Sequence, residues 1–179
     1  MKAIPTIHAS VVLVGAHALL VRGPAGSGKS RLVLNLIQST SSGPLMFARL
    51  VGDDRIHVQA AHGRLIARPP VALAGLLEVR GLGIRQLPYE PTAIVSWVVD
   101  LAAEPSMRIP EEAATQTAIE GIRLPRLAVA PGCDPFPIVL AALTSSGLSA
   151  MAAHRPNNAQ PGGHGSRPVA AAPLRASRV

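Results

Sequence analysis

The chain has 179 residues, 48% of them apolar, and a formal net charge of +7 from 17 Lys and Arg against 10 Asp and Glu. That length holds one domain with a real buried core, with room for a tail. Phe47, Tyr89, Trp97 and Phe136 are the full aromatic set, too few to stack along a single-stranded nucleic acid; the positive charge by itself makes no case for a nucleic-acid partner. Cys133 is the single cysteine, so no intramolecular disulfide forms, as suits a reducing compartment.

The start, "MKAIPTIHAS", leads into "VVLVGAHALLV". No apolar run reaches the roughly 18 residues of a membrane span. The stretch has the apolar character of a signal-peptide core, but His17 interrupts it and it feeds directly into a glycine-rich loop. The expected location is cytoplasmic, with no membrane partner. "HASVVLV", Gly15-Ala16 and "HALLVRG" predict a β-hairpin. "GPAGSGKS" (Gly23 to Ser30) follows, and then apolar residues at 32, 33, 34, 36 and 37 predict a buried helix opening at Ser30.

"TSSGPLMFA" reads as a loop, "RLVGDDRIHVQA" as a β-rich segment with two adjacent carboxylates, and "HGRLIARPP" as its hairpin partner. "ALAGLLEVRGLGIRQLP" is apolar on both sides of a Gly-x-Gly. The near-continuous apolar run "TAIVSWVVDLA" predicts an interior strand. One more short strand is expected in "EGIRLPRLAVAPG" and a last helix in "PFPIVLAALTSSGLSAM". From about Ala153 the sequence is aperiodic Pro, Gly, Ala, Asn and Arg, the composition of a disordered tail.

The chemistry starts at Gly23 to Ser30, which fits the phosphate-binding pattern G-x-x-x-x-G-K-[ST] between a predicted strand and a predicted helix. Gly23, Gly26 and Gly28 let the backbone turn its N–H groups, including those of Ala25 and Ser27 in the loop that Pro24 opens, toward an anion. Lys29 would neutralise terminal phosphates, Ser30 would sit on Mg²⁺, and the helix N-terminus would add positive charge. Asp53 and Asp54 suit a division of labour, one orienting the metal and one accepting a proton from a hydroxyl; they equally suit a solvated turn. Glu78 and Arg80 lie two apart, on one side of an extended strand, before Gly81 and Gly83. That pattern fits metal binding or an exposed ion pair before a turn. His8 alone is compatible with a structural or a catalytic role. The loop by itself also suits a small-molecule kinase, for which no lid or base-recognition segment is found, or a nucleotide-responsive sensor without turnover.

"IHASVVLVGAHALLVRGPAGSGKS", "RLVGDDRI" and "LLEVRGLGI" follow one another in order, and the set resembles the catalytic domain of the HPr kinase/phosphorylase family. "E-[IV]-R-G-L-G-I" is that family's own signature, far more specific than the phosphate loop. The resemblance spans about residues 7 to 130 and implies an α/β P-loop kinase domain of the phosphoenolpyruvate-carboxykinase-like type with a β-rich core. That domain is placed at residues 1–150, with 151–179 as the tail. The form without a separate N-terminal domain looks like the short versions found in alphaproteobacteria.

The activity implied is phosphorylation of a serine on HPr, the phosphocarrier protein of the sugar phosphotransferase system, with ATP and Mg²⁺, and reversal by inorganic phosphate. By motif position Lys29 and Ser30 match the phosphate and Mg²⁺ residues, His8 the active-site histidine and Asp54 the proton acceptor. Glu78 matches a second metal ligand, with Asp53 beside it, and Arg108 in "SMRIPEE" matches a downstream catalytic arginine. The family's hexamer makes homo-oligomerisation an expectation, although its C-terminal helix looks shortened here. "STSSGPLMFA" looks like an insertion, and where the family carries "P-V-R-P-G-R-N" for dephosphorylation this chain reads "AVAPGCDPFPI", without the two arginines.

Overall fold

The computed structural model describes residues 5–41, 43–103 and 112–145. The expected hairpin is β2 (Ser10–Val14) and β3 (His17–Arg22), paired antiparallel from Ser10↔Val21 to Val14↔His17, with β1 (Thr6–His8) just before it. Helix α1 (Lys29–Gln38) opens one residue earlier than expected and buries Lys29, Leu32, Val33 and Leu36. That spacing of three, four and seven lays one helical stripe on the sheet. The carboxylate pair divides its segment into two strands, β4 (Ala48–Gly52) and β5 (Arg55–Ala61), and β6 (Arg64–Arg68) returns antiparallel to β5.

A separate two-stranded hairpin, β7 (Leu76–Val79) and β8 (Gly83–Gln86), carries the signature stretch. The interior strand expected around Trp97 is β9 (Ala93–Leu101), parallel to β3 on one side and antiparallel to β6 on the other. The late strand expected in "EGIRLPRLAVAPG" is β11 (Ile122–Val129), and a further strand not expected from the sequence, β10 (Gln116–Ile119), forms a hairpin with it. The last four residues of β11 run parallel to β9. The final helix, α2, is described over Pro135–Thr144 and is capped by Asp134, which accepts from the Phe136 N–H. The expected tail and Arg108 lie outside the described residues.

The main sheet runs β1-β5-β6-β9-β3-β2-β4. β4 and β5 are five strand spacings apart in that order, about 24 Å if the sheet were flat. Yet only Asp53 and Asp54 join them, a link that reaches about 11 Å. The sheet must therefore curl until its flanks meet, and β1 and β2 cross the same gap through the fully buried Ala9. Gly52 sits at this closure: a Cβ there would lie 2.7 Å from Ile56 Cδ1 and 3.0 Å from Pro69 Cβ.

The curl explains why neighbouring residues are buried on both faces. Val12, Leu19, Leu50 and Val99 pack under α1 and α2. Val11, Leu20, Val51 and Val98 face inward against Ile56 and Val58 of β5 and Leu65 of β6. Burial on both faces is what near-continuous apolar strands require.

Candidate functional site

The two crossings of the gap assemble the first part of the site. Ala9 and the Asp53-Asp54 link lie side by side because β1 pairs β5 and β2 pairs β4, with His8 opposite Arg55 and Val11 opposite Gly52. Asp53 points inward and is almost fully buried. Its carboxylate accepts a short hydrogen bond from the buried Ser10 hydroxyl, bonds of 3.0 and 2.8 Å from Ser30 Oγ, and one of 3.3 Å from the Glu78 N–H. One carboxylate thus ties β2, α1 and β7 together, which is the satisfaction a buried charge needs.

Asp54 does the opposite. It adopts φ 64°, a left-handed conformation that Asp tolerates better than most residues, and this turns its carboxylate outward. The side chain is 65% exposed, 3.4 Å from His8 Nε2 and 3.9 Å from Arg55 Nε. Adjacent carboxylates thus occupy unlike environments, one buried and immobilised and one open and beside a histidine.

The phosphate loop leaves the end of β3. Gly23, at φ 151°, has no room for a side chain: a Cβ would lie 2.7 Å from Ser27 Oγ and 2.9 Å from the Leu101 carbonyl. Gly26 and Gly28 also have positive φ, and Gly28 forms the N-cap of α1 with no side chain capping the helix. The first-turn N–H groups are therefore free of side-chain partners, the arrangement that receives anions. Lys29 folds back to donate 3.0 Å bonds to the carbonyls of Gly23 and Pro24. Burial lowers the pKa of Lys29 below its ordinary 10.5, against the pull of Asp53 and Asp54.

These parts surround one open cleft of about 1020 Å³. Of the residues expected to act, His8, Ala25, Gly26, Ser27, Gly28, Lys29, Ser30, Asp53, Asp54 and Glu78 line it. Gly23 and Pro24 are not in that lining but accept from Lys29 through their carbonyls, and Arg80 joins the lining beyond the end of β7. The opposite wall is formed by Leu101 and Ala102 at the end of β9, which the sequence reading missed, and by Val129 to Pro135 from the end of β11 onward, inside the stretch "AVAPGCDPFPI". The sequence reading also missed Ser10, whose one legible signal is a hydroxyl inside the apolar run "HASVVLV".

The Ser30 hydroxyl and the carboxylates of Asp53 and Glu78 offer only hard oxygen donors around the cleft. Among the described residues no group of three or more His, Cys, Asp or Glu could hold a metal ion by itself. Mg²⁺ suits such a sparse set, since it takes one or two carboxylates and completes its shell with phosphate oxygens and water.

Residues 2–89 match the family model described as the HPr Serine kinase C-terminal domain. Among curated proteins, the chain is 38% identical over 82 residues to the HPr kinase/phosphorylase of Clostridium tetani, covering 46% of this chain and 25% of the relative. With that of Clostridium beijerinckii it is 40% identical over 78 residues, covering 44% of this chain and 24% of the relative. The matched stretch thus spans about a quarter of the length of those relatives. Among solved structures, the Hpr(Ser) kinase/phosphatase from Coxiella burnetii has a similar fold, with a TM-score of 0.61 and 23% identity over 77% of this chain and 92% of that one. The family model and the aligned stretch agree with the order of motifs along the sequence, and the structural neighbour agrees with the sheet-rich α/β fold: residues 2–89 are similar to the HPr Serine kinase C-terminal domain.

Proposed function

We propose that this chain is the catalytic part, over residues 1–150, of an ATP- and Mg²⁺-dependent protein serine kinase acting on an HPr-type phosphocarrier protein. In this reading the domain is a P-loop kinase domain of the phosphoenolpyruvate-carboxykinase-like type. The observation that carries the proposal is the convergence of Lys29, Ser30 and the buried Asp53 on one cleft with the exposed Asp54 beside His8. A phosphate loop alone binds a donor. A second carboxylate, open to solvent at the same cleft, supplies the place where an acceptor hydroxyl loses its proton.

In the proposed reaction the N–H groups of the loop and of the α1 N-terminus hold the phosphates. Lys29 leaves the carbonyls of Gly23 and Pro24 and spreads its charge over the transferring group. Mg²⁺, when bound at Ser30, Asp53 and Glu78, supplies neutralisation of the phosphate oxygens. Asp54 accepts the proton of the serine hydroxyl, and His8, 3.4 Å away, orients that carboxylate. The oxygen of the serine forms its bond to phosphorus as the bond from the γ-phosphorus to ADP breaks. The wall from Val129 to Pro135 offers no basic side chain, so the proposal is for transfer in the kinase direction.

Incubation with labelled ATP and HPr tests it. The expected result is label on an HPr serine, lost in Asp54→Asn while ATP binding persists, because Asn keeps the left-handed backbone. Folded protein that binds ATP and leaves HPr unlabelled overturns the proposal.

A further inference from the structure

On the face of the sheet away from α1, at the rim, the carboxylate of Asp100 is held by two arginines. Arg22 grips it with both arms of its guanidinium, Nε to Oδ1 at 2.7 Å and Nη2 to Oδ2 at 2.8 Å, and Arg126 Nε reaches Oδ2 at 2.6 Å. Arg22 also donates to Thr117 Oγ1 at 3.4 Å, and Arg126 to the Ala114 carbonyl at 3.1 Å. Burial of Asp100 disfavours its charge, but the bonds and charges of the two arginines outweigh that and hold its carboxyl below its ordinary 3.8. The phosphate-loop pattern from Gly23 to Ser30 includes none of the three residues, and Arg22 lies just before it.

Their position in the fold gives the cluster its meaning. β3, β9 and β11 run parallel there, with Arg22 opposite Asp100 and Ala128 opposite Asp100 on the other side. Each strand end leads into one wall of the cleft: Arg22 directly precedes Gly23, Asp100 directly precedes Leu101, and Arg126 lies three residues before Val129. The loop and the wall already touch, since Gly23 is packed against the carbonyl of Leu101.

We infer that Arg22, Asp100 and Arg126 form a clamp that fixes the spacing between the phosphate loop and the opposite wall, and so act as positioning residues for the phosphate-bearing ligand. The chemistry suits a spacer. A bidentate guanidinium–carboxylate pair fixes both distance and plane, as a lysine point charge does not. One carboxylate between two guanidiniums also makes the set interdependent: if Asp100 loses its charge, Arg22 and Arg126 are left as neighbouring like charges. The inference rests on the reading of Gly23 to Ser30 as a nucleotide site, and its test keeps the two apart.

The test is titration of the full chain with Mg·ATP by calorimetry, beside a melting curve without ligand. Asp100→Asn and the milder Arg126→Gln, which leaves the Arg22–Asp100 pair in place, weaken binding by about two- to thirtyfold, the range of indirect positioning effects. Asp100→Glu recovers part of the loss, and Arg64→Gln, an exposed arginine at the start of β6, binds as wild type. If both clamp variants melt earlier yet bind Mg·ATP with unchanged affinity below their melting points, the cluster is a strut and the inference is overturned. A wild-type chain that binds no Mg·ATP overturns the nucleotide reading, and the clamp's role with it. Should Asp100→Asn fail to fold, Arg126→Gln decides alone.

Discussion

Replacing Ser10 by alanine removes one of the two hydroxyls that donate to a buried carboxylate. Ser10 is fully buried and its hydroxyl donates to Asp53, a carboxylate only 5% exposed. A hydrogen bond to a charged group contributes about 1.5–3 kcal/mol. Two corrections bring the expectation to the lower end: Ser30 Oγ still donates to the same oxygen at 3.0 Å, and alanine escapes the desolvation cost of the buried hydroxyl. The expected loss is therefore about 1–2 kcal/mol, roughly 2–8 °C in melting temperature for a chain of this size.

Urea denaturation at neutral pH measures it, and an unchanged m-value confirms that stability alone has moved. A double-mutant cycle with Asp53→Ala isolates the pair, because the serine's contribution should vanish when its acceptor is gone. A loss below about 0.5 kcal/mol, within the usual range of indifferent surface changes, or an equal loss in both backgrounds, would refute the idea that the Ser10 hydroxyl holds Asp53.

At Gly52, alanine would push a Cβ to 2.7 Å from Ile56 Cδ1 and 3.0 Å from Pro69; Gly52→Ala should cost about 1–3 kcal/mol, read as a lower urea midpoint. Asp100, with its pKa lowered in the fold, stabilises the protein fully above its ordinary 3.8, and that contribution is lost as pH falls through the lower folded value. Acid titration of Asp100→Asn, monitored by circular dichroism, should lack this component. Lys29 gives a slope of the same sign at alkaline pH, but as relief of a penalty: burial lowers its pKa, the unfolded chain holds the proton more tightly, and ligand-free stability rises as pH climbs from the folded value toward 10.5. Stability of Lys29→Met should lose that rise between the two values, and the variant should no longer bind Mg·ATP.

Local signals carried much of the molecule. The hairpin around Gly15-Ala16, the helix after Ser30 and the strand around Trp97 are set by periodicity and turn chemistry within a dozen residues, and each lies within a residue or two of where the pattern places it. The glycines and Lys29 of the phosphate loop were legible for the same reason, since the loop folds around its own backbone. The ordered motifs supplied the resemblance with which the family match over residues 2–89 agrees.

Tertiary structure decided what depended on residues far apart in the chain. Spacing left Asp53 and Asp54 equally suited to a metal site or a solvated turn; closure of the curled sheet buries the first against Ser10 and Ser30 and turns the second outward to His8. The late strand β11 gained two partners, β10 in a local hairpin and β9 in parallel, and the second is a pairing no local pattern encodes. The Arg22–Asp100–Arg126 cluster joins residues 78 and 26 positions apart, and only the parallel ends of three strands bring them together. Sequence wrote the chemistry of the loop because that chemistry is local; the far wall of the cleft and the separate environments of the two aspartates had to wait for the fold.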